Sequence, residues 1–316
     1  MRVLFCSEHF PKAREYTAEV LPPGMDVVSC RQEDFREKAR DADVIVPFMF
    51  RITREVMEGS RVKLINQYGA GLEGVDIEAA TELKIFVANI PSHDTGNALS
   101  VAEHAIFLAL SLFRKPREME RSLREMKIGF PIGETLWGKT CLIYGFGNIG
   151  KCLAERLRPF QTKILGVRRS PLTDGEKKLL DGWGTPADLK EMMKEVDLLF
   201  VCAPLTDETR DSIDEAVIGS SGKGFSLVNV SRGGVVKYSA LLDGLREGKV
   251  KGAGLDVFWE EPFPPDDPLL AHPAVVATPH VGGVTEISYR TMAERLARNI
   301  LRVRDGLPPE NWVNPF

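Results

Sequence analysis

The sequence predicts an α/β protein made of two doubly wound parallel-sheet domains, one inserted into the other. Three observations carry that expectation. Short apolar runs alternate with helical segments through the first hundred residues, the alternation restarts at Lys139, and a helical pattern after Gly282-Gly283 carries the chain onward. That last pattern is expected to return to the first domain. The smaller domain is then discontinuous, residues 1–97 and 286–316, around a larger one spanning 98–285. With 316 residues and 43% hydrophobic content, the chain can bury two cores.

In the first domain, strands are expected over residues 2–6, 27–30, 43–47, 62–66 and 84–89. From Asn97 the pattern changes to a run, Val101 to Phe113, that is apolar on nearly every side. Such a helix is buried. One domain face would leave part of it exposed, which places it between the domains and at a subunit contact. The second domain is expected to supply strands over 141–144, 163–167, 198–202, 226–230, 254–258 and 275–277, and the closing helix carries Ile287, Met292, Leu296, Ile300 and Leu301.

Between the first strand and first helix of the second domain lies Gly145-Phe146-Gly147-Asn148-Ile149-Gly150. Thr140-Cys141-Leu142-Ile143-Tyr144 precedes it, and Ile149, Cys152, Leu153 and Leu157 follow on one helical face before Pro159. This is the setting of a dinucleotide-phosphate cradle. Gly145 permits the tight turn, Gly147 lets backbone approach a pyrophosphate, and Gly150 lets helix and strand pack closely, while the helix N-terminus offers unpaired N–H groups. Alone, the motif is also compatible with a plain tight turn. About twenty residues on, where a carboxylate would accept from the adenosine ribose, the chain has Arg168-Arg169-Ser170 instead.

Composition removes several classes of function. The 41 basic and 45 acidic residues leave a net charge of -4, with no basic stripe, so no nucleic-acid partner is expected. Cys6, Cys30, Cys141, Cys152 and Cys202 are odd in number, and at least three lie in apolar strand-like runs, which indicates reduced core thiols and a cytoplasmic location. The N-terminal apolar run is far too short for a signal segment, and no run approaches a membrane span. Neither repeats nor low-complexity tracts occur.

Three polar residues fall just beyond predicted strands of the second domain: Arg232, Glu261 and His280. Parallel sheets bind ligands at that edge. Reduction of a 2-keto acid needs a hydride on the carbonyl carbon, a proton on its oxygen and a cation to hold the carboxylate. His280 suits the proton transfer, Glu261 would stabilise the imidazolium and fix the ring, and Arg232 has a planar fork matched to a carboxylate. Singly, each could be a solvated loop residue; together, at one sheet edge, they form a candidate catalytic set.

The chain resembles the D-isomer-specific 2-hydroxyacid dehydrogenases over nearly its whole length. The matching segments run from Leu136-Trp137-Gly138-Lys139-Thr140 into the glycine turn, then Pro204-Leu205-Thr206-Asp207-Glu208-Thr209-Arg210 and Leu227-Val228-Asn229-Val230-Ser231-Arg232-Gly233-Gly234. Gly254-Leu255-Asp256-Val257-Phe258, Glu261-Pro262 and Thr278-Pro279-His280-Val281-Gly282-Gly283 complete them. The resemblance implies a Rossmann coenzyme domain inserted into a flavodoxin-like substrate domain, a homodimer and D stereochemistry. It implies that Arg232, Glu261 and His280 are catalytic, that Ala203 and Pro204 touch the cofactor, and that Asp256 lies by the nicotinamide carboxamide. Tyr68-Gly69-Ala70-Gly71-Leu72 matches the family loop whose N–H groups bind the substrate carboxylate, and glycine turns form such anion nests; a connecting turn is the alternative.

Arg168 stands where members using NAD carry an acid, with Arg169 and Ser170 beside it, so NADP(H) is the expected preference and NAD remains possible. The alternative is that both arginines are solvated surface charges. Pro47-Phe48-Met49-Phe50 replaces the basic residue of phosphoglycerate dehydrogenases, so Phe48 and Met49 are expected to favour small or apolar 2-keto acids such as hydroxypyruvate or glyoxylate. Packing against a neighbouring helix is an equal alternative, and Arg51 and Arg54 leave room for an anionic substrate. His104 is expected as a hydrogen-bonded core residue; without a second helical histidine no metal site is predicted. His9 and His93 have no assigned partners, and Trp259 either roofs the site or packs. Two rivals stand beside the dehydrogenase: a dinucleotide-sensing, corepressor-like interaction protein, and a phosphite dehydrogenase.

Overall fold

A computed structural model describes residues 1–316, which divide into two compact units, Met1–Asn97 with Val284–Phe316, and Ala98–Gly283. The first unit holds five parallel strands, β1 (Arg2–Phe5), β2 (Asp26–Ser29), β3 (Val44–Val46), β4 (Leu64–Asn66) and β5 (Phe86–Ala88), in the order β2-β1-β3-β4-β5. This is the flavodoxin-like order, with its reversal at β1/β3. Successive side chains enter opposite layers. Val3, Phe5, Val44 and Val46 pack with Tyr289, Met292, Leu296 and Ile300 of the helix Glu286–Arg304, whereas Leu4, Ile45, Ile65 and Val87 pack with Phe35, Val56 and Ala79. Ile287, expected inward, is 61% exposed in that helix's first turn.

The edge strand β5 is closed by the end of the chain. Asn314, itself buried, accepts from Val87 N (2.8 Å) and donates to Ile85 O (2.8 Å), while Trp312 bridges Ala88 in antiparallel fashion. These contacts satisfy backbone groups that an open edge would present to another chain.

The second unit holds seven parallel strands: β6 (Thr140–Tyr144), β7 (Lys163–Val167), β8 (Gly182–Gly184), β9 (Leu198–Val201), β10 (Phe225–Asn229), β11 (Val250–Leu255) and β12 (Val275–Ala277). Their order is β12-β11-β10-β9-β6-β7-β8, which reverses between β6 and β9. β8 was not expected, because Gly182-Trp183-Gly184 shows no alternation. β11 lies over Val250–Leu255 and not over 254–258: Asp256 leaves the sheet to bind a loop. The helix Asn97–Arg114 begins four residues before the apolar run suggested; Ala102, Ala105, Leu108 and Ala109 pack in this unit's core with Cys141, Ile143, Phe200 and Val228, and Phe107 remains 51% exposed. All five cysteines are free thiols. No helix is long and apolar enough to cross a membrane.

Candidate active site

The glycine turn follows β6, at the point where the strand order reverses. Gly145 has φ +100, and a Cβ there would lie 2.2 Å from Ala203 N and 2.4 Å from its Cα, so only glycine lets this turn meet the segment after β9. Gly150 abuts Gly145 O, at 2.8 Å from its own virtual Cβ. Gly147 is different: nothing lies within 4 Å of its virtual Cβ, and its φ of -100 suits any residue. The absent side chain therefore leaves open space directly before the helix Asn148–Leu157, which has no side-chain cap and keeps its first-turn N–H groups for a ligand. These features fit a dinucleotide pyrophosphate. Phe146 can contribute only backbone there, since its ring is fully buried; Ile149 packs against the same core. Ala203 is buried against Gly145, and Pro204 is exposed with its carbonyl accepting from Thr209 Oγ1 (2.6 Å).

At the end of β7 the two arginines are already engaged. Arg168 Nε donates to Ser170 Oγ (2.9 Å) and Nη1 to Glu176 Oε1 (2.8 Å), while Arg169 forms an exposed pair with Glu208 at 2.7 Å. Glu176 also meets Lys151 Nζ at 3.3 Å. A main-chain hydrogen bond from Thr173, with Arg168 and Lys151 alongside, holds the Glu176 carboxyl down to about 2. The sequence shows no acid at the expected spacing, but a short helix, Asp174–Lys177, brings one back.

Two members of the candidate catalytic set touch directly. His280 Nδ1 lies 2.6 Å from Glu261 Oε2, and Glu261 Oε1 accepts from Phe258 N at 3.0 Å, so the carboxylate is fixed by backbone before it fixes the ring. Both side chains are partly buried, 29% and 13% exposed. Arg232 is placed by the turn after β10, where the buried Asn229 donates to Arg232 O (2.9 Å) and accepts from Ser231 N and Oγ (each 3.1 Å). Gly233 joins this turn to the Glu261 loop: its virtual Cβ would fall 2.1 Å from Phe258 C and 2.4 Å from Trp259 N. Trp259 packs: it donates to Val236 O (2.6 Å) and lies edge-on against Tyr238.

Asp256 holds the His280 turn. Its carboxylate, 3% exposed, takes Thr278 Oγ1 (2.7 Å), Val281 N (2.9 Å), Gly282 N (2.8 Å) and, at 3.3 Å, His104 Nε2. Burial pushes this carboxyl up, but the hydrogen bonds from His104, Thr278 and the two main-chain N–H groups outweigh it and leave the carboxyl below the usual range. His280 N donates to Asp256 O (2.9 Å), and His280 itself is left-handed at φ +53. His104, read from sequence as a core histidine, also lies 2.9 Å from Thr278 Oγ1. Asp256, expected beside the nicotinamide, thus spends its acceptor capacity on its own chain.

In the first unit, Phe48 has φ +48 and stacks on Phe10 at 5.3 Å, with Phe5 and Tyr68 each 6.0 Å away; Met49 is 51% exposed. Gln67 clamps Phe48 by accepting from its N (3.1 Å) and donating to its O (3.0 Å). Gly69 has φ +139 with open space at its virtual Cβ, and Gly69 O and Ala70 O accept from Ile90 N and Asn89 Nδ2, each at 2.8 Å. The N–H groups of Gly69, Ala70 and Gly71 have no partner within the chain. His9 and His93 are exposed, His93 with Asp94 at 3.8 Å. No group of three or more His, Cys, Asp or Glu side chains is arranged to hold a metal ion. The supporting roles of Asn229, Gln67 and Glu176 left no signature in sequence spacing.

Residues 106–282 match the family model described as D-isomer specific 2-hydroxyacid dehydrogenase, NAD binding domain. The chain is 36% identical over 294 residues to the glyoxylate reductase of Pyrococcus furiosus, covering 90% of this chain and 85% of that one. It is also 36% identical over 287 residues to the D-3-phosphoglycerate dehydrogenase of Methanocaldococcus jannaschii, covering 90% of this chain but 54% of the longer relative. Among solved structures, the NADPH-dependent glyoxylate/hydroxypyruvate reductase of Sinorhizobium meliloti, in complex with NADP and malonate, superposes with a TM-score of 0.82 at 27% identity over 99% of this chain and 96% of that one. Strand order, glycine turn and sequence agree: the chain belongs to the D-isomer-specific 2-hydroxyacid dehydrogenases, a family of oxidoreductases.

Proposed function

We propose that this enzyme reduces small 2-keto acids of the glyoxylate and hydroxypyruvate type to D-2-hydroxy acids, with NADPH preferred over NADH and His280 as the acid. The observation that carries the reading is the 2.6 Å His280–Glu261 pair, joined through the Gly233 contact to the Arg232 turn. When bound, the nicotinamide supplies the hydride. With Nδ1 engaged by Glu261, Nε2 of the protonated His280 gives its proton to the carbonyl oxygen as the alcohol forms and takes it back in oxidation; Glu261 stabilises the imidazolium that precedes reduction and follows oxidation. Arg232 binds the substrate carboxylate and polarises the carbonyl. Residues 98–285 hold the dinucleotide, and in the unit of residues 1–97 with 286–316 the N–H groups of Gly69, Ala70 and Gly71 form an anion nest suited to a substrate carboxylate.

The glyoxylate reductase relative supports the substrate class, and the packed Phe48, with no basic residue beside it in Pro47-Phe48-Met49-Phe50, argues against a phosphorylated one. Arg168, Arg169 and Ser170, together with the NADP-bound Sinorhizobium structure, support the coenzyme preference. A homodimer is supported by residues 123–137, where Leu123, Met126, Ile128, Phe130, Ile132 and Trp137 are all at least 64% exposed; light scattering should read twice the monomer mass. The five free thiols agree with a cytoplasmic enzyme. The test is a panel of glyoxylate, hydroxypyruvate, pyruvate, phosphohydroxypyruvate and phosphite, followed by nicotinamide absorbance with each coenzyme. Fast reduction of the first two with NADPH supports the reading. Efficient use of phosphohydroxypyruvate or phosphite, or preference for NADH, overturns the corresponding part, and tight dinucleotide binding without turnover points to a sensor.

A further inference from the structure

We infer that Glu176 is a built-in anion that sets coenzyme selectivity by competing with the 2'-phosphate of the dinucleotide for Arg168 and Lys151. This rests on the proposal that Arg168 receives that phosphate. The carboxylate is not a mobile partner that the arginine has captured. Its Oε2 accepts from Thr173 N (2.9 Å) and Thr173 Oγ1 (3.1 Å), and Thr173 Oγ1 accepts in return from Glu176 N (3.3 Å), a reciprocal cap at the start of the helix Asp174–Lys177. The other oxygen, Oε1, then meets Arg168 Nη1 at 2.8 Å and Lys151 Nζ at 3.3 Å.

Lys151 follows Gly150 directly, so Glu176 ties the glycine turn to the end of β7. The carboxylate is 14% exposed, less than Arg168 at 31% or Lys151 at 35%, so its charge is partly shielded from water. With its carboxyl held down to about 2, it is ionised throughout the working range. Arg168 Nε is occupied by Ser170 and Nη1 by Glu176, which holds the guanidinium still and leaves Nη2 for an incoming anion. Glu176 therefore does two opposed things: it orients the fork and cancels one of the two positive charges beside it. Glutamine removes the charge and keeps the cap: its one carbonyl oxygen stays on Thr173 N, and its NH2 turns toward Arg168 and Lys151, releasing both for the phosphate.

The test is calorimetric titration of the full-length protein with adenosine 2',5'-bisphosphate and with adenosine 5'-monophosphate, for the wild type, Glu176→Gln, and Glu176→Gln combined with Arg168→Leu. Removing one unit charge near a dianion at the protein surface should tighten bisphosphate binding on the order of tenfold. The monophosphate should change less than about twofold, the gain should shrink as salt rises, and Arg168→Leu should abolish it. Unchanged or weaker bisphosphate binding by Glu176→Gln, with the melting temperature kept within roughly 2 °C, overturns the inference. If the wild type binds both probes equally, the NADP reading fails instead; a bisphosphate preference that then emerges in Glu176→Gln still supports Glu176 as the determinant. Should Glu176→Gln melt early, Lys151→Gln and Lys151→Glu give the same readout: each step toward negative charge must weaken bisphosphate binding more than monophosphate binding, and equal losses contradict the competition.

Discussion

Gly233→Ala should uncouple the proposed catalytic set without touching any of its side chains. The new methyl would fall 2.1 Å from Phe258 C, 2.2 Å from Phe258 O and 2.4 Å from Trp259 N, all backbone, where ordinary contact begins near 3.4 Å. The Phe258 segment must therefore retreat by about 1 Å, and it carries Glu261 through the 3.0 Å bond from Phe258 N. Overpacking of this kind costs about 1–3 kcal/mol, which lowers the melting temperature by roughly 3–10 °C in a unit of this size. Misplacing a catalytic group by ~1 Å costs on the order of a hundredfold in rate. The assay is steady-state reduction of glyoxylate together with a thermal melt. A Gly233→Ala protein with wild-type kcat and an unshifted melt would refute the claim that this glycine joins the Arg232 and Glu261 loops.

Gly147→Ala makes the opposite prediction: its methyl enters open space, so the melt should stay within about 2 °C while dinucleotide affinity, read by calorimetry, falls at least roughly tenfold. Thr278→Val removes the 2.7 Å donor to the buried Asp256 carboxylate and should cost about 2 kcal/mol in urea unfolding, with kcat lowered as the His280 turn loosens. Acid should destabilise the fold through Glu176, whose folded pKa is depressed from 4.5 to about 2: its contribution is present above the unfolded value and is lost as pH falls between those limits. Denaturation followed from pH 5 to 2 should then show a smaller loss for Glu176→Gln than for the wild type; identical slopes would contradict it.

What the sequence disclosed follows physical rules that operate locally. Strands buried on both faces read as continuous apolar runs, so β6, β7, β9 and β10 were legible to within a residue, and the glycine turn was legible because its strand and helix flank it. β8 was missed because two glycines around Trp183 carry no pattern, and β11 was misplaced because Leu255-Asp256-Val257-Phe258 looks like a strand although Asp256 already belongs to the His280 turn. The identities of Arg232, Glu261 and His280 were visible as residues beyond strand ends. Their connections were not, because Gly233 and Asp256 act through backbone contacts between loops remote in sequence, and Asn229 acts by bonding inside its own turn, which no spacing rule marks. Arg168 was visible, and its partner was not: Glu176 arrives by the path of a short helix, and no spacing rule announces it.

The central claim is that His280 moves the proton. The direct measurement is glyoxylate reduction by His280→Ala at saturating NADPH, beside calorimetric NADP binding to the same protein. General acid–base catalysis by a positioned side chain contributes about 10²–10⁴-fold. The account predicts a kcat loss in that range with dinucleotide affinity unchanged within about twofold, because the ring is held by Glu261 and not by the glycine turn. Turnover of His280→Ala within about tenfold of the wild type would contradict it.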